Sequence, residues 1–203
     1  LTPFARPLYV MAKHAGAACN MRCRYCYYLE KGTMYTHSGT TLMSDELLER
    51  FTREYIESQT SNDVLFCWHG GEPLLRPVEF YEKALAYQRK YAGGRHIDNS
   101  LQTNGSLIND EWANFFHRNN FLVGVSIDGP KWMHNLYRPL ATGAGSWKKV
   151  MAGIDCLNRH QVEWNAMAVV NSTTANHPLE FYRFFRDNGC HYLQFTPIVA
   201  RID

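Results

Sequence analysis

No charge of one sign dominates the 203 residues: 21 Lys and Arg against 19 Asp and Glu leave a formal +2. That balance removes the electrostatic argument for a nucleic-acid partner. No apolar run approaches the ~20 residues that a membrane helix needs. The opening LTPFARPLYV has no apolar core of a signal peptide. Low-complexity tracts and linker-like stretches are also missing. Without secretion, the six cysteines (Cys19, Cys23, Cys26, Cys67, Cys156 and Cys190) do not read as a disulfide framework. A composition of 45% hydrophobic and 20% charged residues is that of an ordinary globular chain. These absences predict one soluble, cytoplasmic domain over residues 1–203, with no nucleic-acid or membrane partner. The chain starts at Leu1 and stops just after an apolar run, so both ends are expected to be cut.

What is present is a regular alternation of strand-like and helix-like segments. Residues 7–13 (PLYVMAK) read as a strand, followed by a cysteine-bearing loop. Residues 42–58 open with Ser44-Asp45-Glu46, a cap with acidic first-turn residues, and carry apolar positions at helical spacing. The unit then recurs: strand 63–68, helix 78–91, strand 97–103, helix 110–118, strand 121–127. A loop is predicted over 131–145, then helix 146–160, strand 163–170, helix 178–188 and strand 192–199. Strand–helix alternation with short connections implies right-handed crossovers and a parallel sheet. Six units are fewer than the eight of a closed barrel. The fold class is therefore α/β, as either a partial (β/α)6 TIM-like barrel or a doubly wound sheet. In both, chemistry sits at the C-terminal ends of the strands. That is where the polar and glycine-rich segments 19–26, 69–72, 103–105 and 126–128 fall.

Cys19-Asn20-Met21-Arg22-Cys23-Arg24-Tyr25-Cys26 has the spacing C-x3-C-x2-C. Soft thiolates suit an iron–sulfur cluster, and three of them on one loop can hold three irons of a [4Fe–4S] cube. The fourth iron then keeps an open coordination site for a small chelating molecule. The rival is a structural zinc of Cys3His type, with His14 or His37 as the fourth ligand. The other cysteines, Cys67, Cys156 and Cys190, read as small buried hydrophobes.

The cysteine loop resembles the signature of radical S-adenosylmethionine (SAM) enzymes. Gly70-Gly71-Glu72-Pro73, Thr103-Asn104-Gly105 and Ser126-Ile127-Asp128-Gly129 follow in order after successive strands. Together with Tyr27-Tyr28 and a loop bearing Arg138, the set is most similar to the anaerobic sulfatase-maturating enzymes. The resemblance implies the partial (β/α)6 barrel of the radical SAM type, with the cluster loop at 19–26. It also implies a C-terminal cysteine-rich extension for auxiliary clusters in the full-length protein, beyond this chain. The catalytic base would lie there, so no catalytic residue is named.

The implied cofactors are a [4Fe–4S] cluster and S-adenosylmethionine. By the same resemblance Cys19, Cys23 and Cys26 ligate iron. Tyr25 lies beside the adenine, and Gly70, Gly71 and Glu72 meet the SAM ammonium. Ser126 and Arg138 contact the ribose and the methionine carboxylate, Arg138 through its planar fork. Val199 packs by the adenine. Tyr28 and His69 fall where the family meets its peptide, although related maturases commonly carry an amide at the position of His69. Each residue also has a plain alternative as a turn, strand-end, loop or core residue. The implied activity is reductive cleavage of SAM and oxidation of a sulfatase Cys or Ser to Cα-formylglycine. The implied partners are a sulfatase polypeptide and an electron donor such as flavodoxin or ferredoxin. A thioether- or carbon–carbon-crosslinking radical SAM peptide modifier and a zinc-stabilised binding module are the alternative functions.

Overall fold

A computed structural model describes residues 6–31 and 42–198. Its strands are β1 (Met11–Ala12), β2 (Asp63–Trp68), β3 (His96–Thr103), β4 (Leu122–Ser126), β5 (Trp164–Val170) and β6 (Leu193–Pro197). All pair in parallel, in the unbroken order β1-β2-β3-β4-β5-β6. A doubly wound sheet reverses its strand order at a switch point. No reversal occurs here, so right-handed crossovers place successive helices on one outer face. The result is a partial (β/α)6 barrel with a concave inner face.

The helices are α1 (Tyr27–Lys31), α2 (Asp45–Glu57), α3 (Val78–Tyr91), α4 (Asp110–Arg118), α5 (Lys131–Tyr137), α6 (Trp147–Arg159), α7 (Ser172–Asn176) and α8 (Pro178–Asp187). Side-chain oxygens start several of them. Ser44 accepts from Leu47 N at 3.2 Å, and Asn109 accepts from Trp112 N at 2.9 Å. Each satisfies a backbone donor that the first turn leaves without a partner. Along β2 the residues alternate: Val64, Phe66 and Trp68 are buried under the helices, and Leu65 and Cys67 face the concave side. The buried set joins Tyr81, Phe115, Phe116 and Leu157 in one core between sheet and helices. Asn99 enters that layer without an unmet group, because Trp68 Nε1 donates to its Oδ1 and Gln88 pairs with its amide. Among the described residues no helix is long and apolar enough to cross a membrane.

Three of the elements that differ from the sequence expectation do so for a local reason. The strand predicted over 7–13 ladders only at Met11–Ala12. Upstream, Leu8 O accepts from Tyr55 Oη at 3.0 Å and Gln59 Nε2 at 3.1 Å, and Leu8 N donates to Gln59. Side chains from α2 and its end thus take the backbone that a ladder would have used. The loop predicted over 131–145 contains α5, two turns long and so too short to announce itself by periodicity. The five-residue α7 is likewise absent from the sequence reading. Its capping box, Asn171 with Thr174, is what holds it.

Candidate functional site

The cysteine loop leaves β1 and is clamped on two sides. On one side lies the turn after β2: Gly71 N donates to Gly16 O at 2.8 Å, and Glu72 N to Ala18 O at 2.7 Å. The approach is so close that a Cβ on Gly71 would stand 2.1 Å from Ala18 O and 2.6 Å from Ala17 O. Gly70 adds a φ of +143°, a conformation that side-chain-bearing residues rarely adopt. The other side is the segment after α5. Arg22 N donates to Pro139 O at 2.9 Å, Arg24 N to Tyr137 O at 2.8 Å, and Ala141 N to Asn20 O at 3.0 Å. Met21 and Leu140 form an antiparallel bridge between these strips.

Within this clamp Cys19 is exposed, Cys26 half-buried and Cys23 buried, and all are free thiols. Met21 N donates to Cys19 Sγ at 3.4 Å, and Asn104 Nδ2 lies 3.7 Å from the same sulfur. Burial pushes the Cys19 thiol up to about 11 and also raises Cys23, against the downward pull of the Arg138 guanidinium. A bound metal overturns that preference, since only the thiolate ligates. The three sulfurs do not converge to within 4.8 Å of one another; the described residues that do so lie elsewhere. Of the zinc candidates, His14 is turned into the aromatic core. Its Nε2 lies 2.8 Å from Tyr81 Oη, and its ring stacks on Phe80. His37 lies outside the described residues.

Glu72 is fully buried, with burial raising its pKa against three donors that favour the carboxylate. Oε1 accepts from Thr103 Oγ1 at 2.7 Å and Leu74 N at 3.0 Å; Oε2 accepts from Asn104 N at 2.8 Å. The resemblance puts this carboxylate on the SAM ammonium; the structure puts three of this chain's own donors on it. Asn104 continues the chain of contacts, donating from Nδ2 to Asn20 Oδ1 at 2.8 Å, while Ser106 Oγ donates to Asn104 Oδ1 at 2.7 Å. Glu72 therefore ties the turn after β3 to the turn after β2, and Asn104 ties both to the cysteine loop. Asn20, Asn104 and Ser106 carry no role in the sequence reading. The Thr103-Asn104-Gly105 motif was the signal that could have found them.

A second buried network closes the loop from the β4 side. Tyr25 Oη donates to Asp128 Oδ2 at 2.5 Å and accepts from Arg138 Nη1 at 2.6 Å. Asp128 Oδ1 accepts from Val169 N at 3.0 Å. His134 accepts from Asp128 N at Nδ1 (3.2 Å), faces Ser146 Oγ at Nε2 (2.8 Å), and Ser146 donates to Arg138 O. This assigns the Nε2–H tautomer to His134, whose pKa burial lowers to about 2. Arg138 is only 6% exposed and keeps its charge beside Tyr25, Cys23 and Asp128. Its Nε is buried with no partner among the described residues, a donor aimed from a buried cation. Asp128 and His134 were missed as site residues because nothing in their local spacing announces a contact to Tyr25 or Ser146.

Of the remaining expected residues, Ser126 ends β4, half-buried, where Gln102 Nε2 donates to its hydroxyl at 2.9 Å. Tyr28 stacks on Tyr27 at 4.3 Å, with Lys13 Nζ 5.0 Å over its ring. His69 Nδ1 accepts from Gly70 N, and burial lowers its pKa. Val199 lies outside the described residues. The loops after β1, β2, β3 and β4 thus share one rim, where they could hold a cluster and a zwitterionic ligand.

The family model for the radical SAM superfamily matches residues 15–185. A serine-type anaerobic sulfatase-maturating enzyme of Bacteroides thetaiotaomicron is 60% identical over 200 residues, covering 98% of this chain and 48% of that one. A cysteine-type anaerobic sulfatase-maturating enzyme of Clostridium novyi is 38% identical over 200 residues, covering 98% and 53%. A solved structure of native anSMEcpe with bound AdoMet and Cp18Cys peptide matches with a TM-score of 0.86 at 36% identity, covering 94% of this chain and 51% of that one. The chain spans about half the length of the curated relatives it matches. With the cysteine loop seated at the C-terminal rim of a partial barrel and the family model matching well over half of the chain, the chain belongs to the radical SAM superfamily.

Proposed function

We propose that residues 1–203 form the radical SAM core of an anaerobic sulfatase-maturating enzyme, acting in the whole protein to oxidise a sulfatase side chain to Cα-formylglycine. The observation that carries this reading is the cysteine loop held between the Gly70–Gly71 turn and Arg138, a buried cation with a free donor. Identity of 60% to a serine-type maturase, against 38% to a cysteine-type one, favours a seryl target.

In this reading Cys19, Cys23 and Cys26 hold a [4Fe–4S] cluster, and the Met21 amide and Asn104 beside Cys19 stabilise the thiolate charge. When bound, the cluster and SAM together supply a 5′-deoxyadenosyl radical by one-electron cleavage. Arg138 takes the SAM carboxylate with the guanidinium edge that Tyr25 leaves open, and Tyr25 holds Arg138 in place. Gly70 and Gly71 let backbone approach the ligand, and Ser126 meets the ribose. Glu72 acts through Thr103 and Asn104, fixing the turns on which the ligand rests. Tyr28 and His69 line the peptide's approach, with Lys13 beside them. Arg22 and Arg24, exposed on the cluster loop, offer a basic contact to an acidic electron donor such as flavodoxin or ferredoxin. Free thiols throughout suit a reducing, cytoplasmic setting.

The test uses the full-length protein, reconstituted anaerobically with SAM and reductant and offered Ser- and Cys-containing sulfatase-motif peptides. Deoxyadenosine together with an aldehyde-bearing Ser peptide is the expected result. Deoxyadenosine with both peptides unmodified overturns the sulfatase assignment. Neither product from a fully loaded cluster overturns the radical reading itself.

A further inference from the structure

Three side chains of different donor chemistry meet between α4 and α6, and none belongs to the cysteine loop or its clamps. Asp110 is the first residue of α4. Cys156 and His160 stand four residues apart on α6 and its C-terminal cap, which brings both side chains onto one helix face. His160 Nε2 lies 2.8 Å and Cys156 Sγ 3.4 Å from the same oxygen, Asp110 Oδ1. All three ligand atoms lie within 4.8 Å of one another. Tetrahedral zinc bonds of roughly 2.0–2.3 Å place neighbouring ligand atoms about 3.3–3.6 Å apart, so the trio needs only a small outward movement of the imidazole.

We propose that Asp110, Cys156 and His160 form a binding site for one zinc-class divalent cation, with water as the fourth ligand. A thiolate, an imidazole and a carboxylate are the mixed donors that a borderline-soft ion such as Zn²⁺ accepts. Charge balances: on binding, the Cys156 thiol releases its proton to solvent, and His160 ligates through Nε2 with its remaining proton on Nδ1. One thiolate and one carboxylate then neutralise the dication. Asp110 Oδ1 already accepts from His160 Nε2, Cys156 Sγ and Arg159 Nη2, the place a cation would take. The competing cation, Arg159, reaches Asp110 Oδ1 at 3.0 Å from a side chain that is 61% exposed, so it can swing into water. Access is through the Asp110 side, since Cys156 itself is buried beneath the pair. The ion would cross-link two helices that otherwise share few contacts.

The full-length, cluster-loaded protein is given one equivalent of Zn²⁺ anaerobically, dialysed, and measured by zinc-edge X-ray absorption, which does not see iron. The expected result is one zinc per chain with one sulfur at about 2.3 Å and nitrogen or oxygen at about 2.0–2.1 Å. Cys156→Ala removes the sulfur shell and weakens Zn²⁺ binding at least about tenfold. Asp110→Asn, at an exposed position, weakens it while keeping the sulfur; the brown cluster chromophore reports that both variants fold. Zinc lost on dialysis, a shell of three sulfurs, or a Cys156→Ala protein that binds as before would each overturn the proposal and leave the trio as an ion pair only.

Discussion

Gly71→Ala puts the clamp on the cysteine loop to a direct test. The added Cβ would sit 2.1 Å from Ala18 O and 2.6 Å from Ala17 O, both backbone atoms with no side-chain freedom to yield. Ordinary contact begins near ~3.5 Å, so loop and turn must part by more than about 1 Å. That movement breaks the 2.8 Å bond from Gly71 N to Gly16 O and the 2.7 Å bond from Glu72 N to Ala18 O. Two backbone hydrogen bonds at about 0.5–1.5 kcal/mol each, with overpacking of about 1–3 kcal/mol, give about 2–6 kcal/mol. A loss of that size is a large part of a typical domain's roughly 5–15 kcal/mol. The loop can escape by detaching, so iron content should fall before the fold does. The assay is iron and sulfide per chain after anaerobic reconstitution, beside a denaturant unfolding curve. A Gly71→Ala protein that takes up full iron and unfolds within about 0.5 kcal/mol of wild type would refute the reasoning.

Further expectations follow from neighbouring groups. Tyr25→Phe removes the hydroxyl shared by Asp128 and Arg138, which should cost about 1–3 kcal/mol and weaken SAM binding about tenfold, read by equilibrium dialysis, with iron content unchanged. Cys23→Ala should abolish the brown cluster chromophore and Cys156→Ala should leave it; bleaching by Cys156→Ala would show the ligand assignment to be wrong. Acid should destabilise the fold through His14, which burial pushes down to about 4. Because its folded pKa is depressed, the unfolded chain binds the extra proton: stability is complete above about 6.5 and is lost as pH falls towards 4. Between those limits wild type should lose up to about 3 kcal/mol more than His14→Phe, which keeps the ring stacked on Phe80 and removes the titration. Parallel curves for the two proteins in pH-dependent melts would refute this.

The parts of this protein that depend on neighbours in sequence were legible in it. β2 and α3 fall at the predicted bounds, since a short apolar run and a longer amphipathic one declare themselves locally. The three thiols at C-x3-C-x2-C and the glycines of the turn after β2 are likewise local patterns with few other uses. Only the tertiary structure decided that Glu72 serves Thr103 and Asn104 across 31 and 32 residues, that Tyr25 sits between Asp128 and Arg138, and that β1 shrinks to two residues under Tyr55 and Gln59. It also brought Asp110 to Cys156, a cysteine that reads in sequence as a plain core residue. Spacing along a chain encodes which groups share a helix face or a turn. Which buried donor meets which buried acceptor is set by parallel crossovers that bring the ends of four strands to one rim, and no local pattern carries that information.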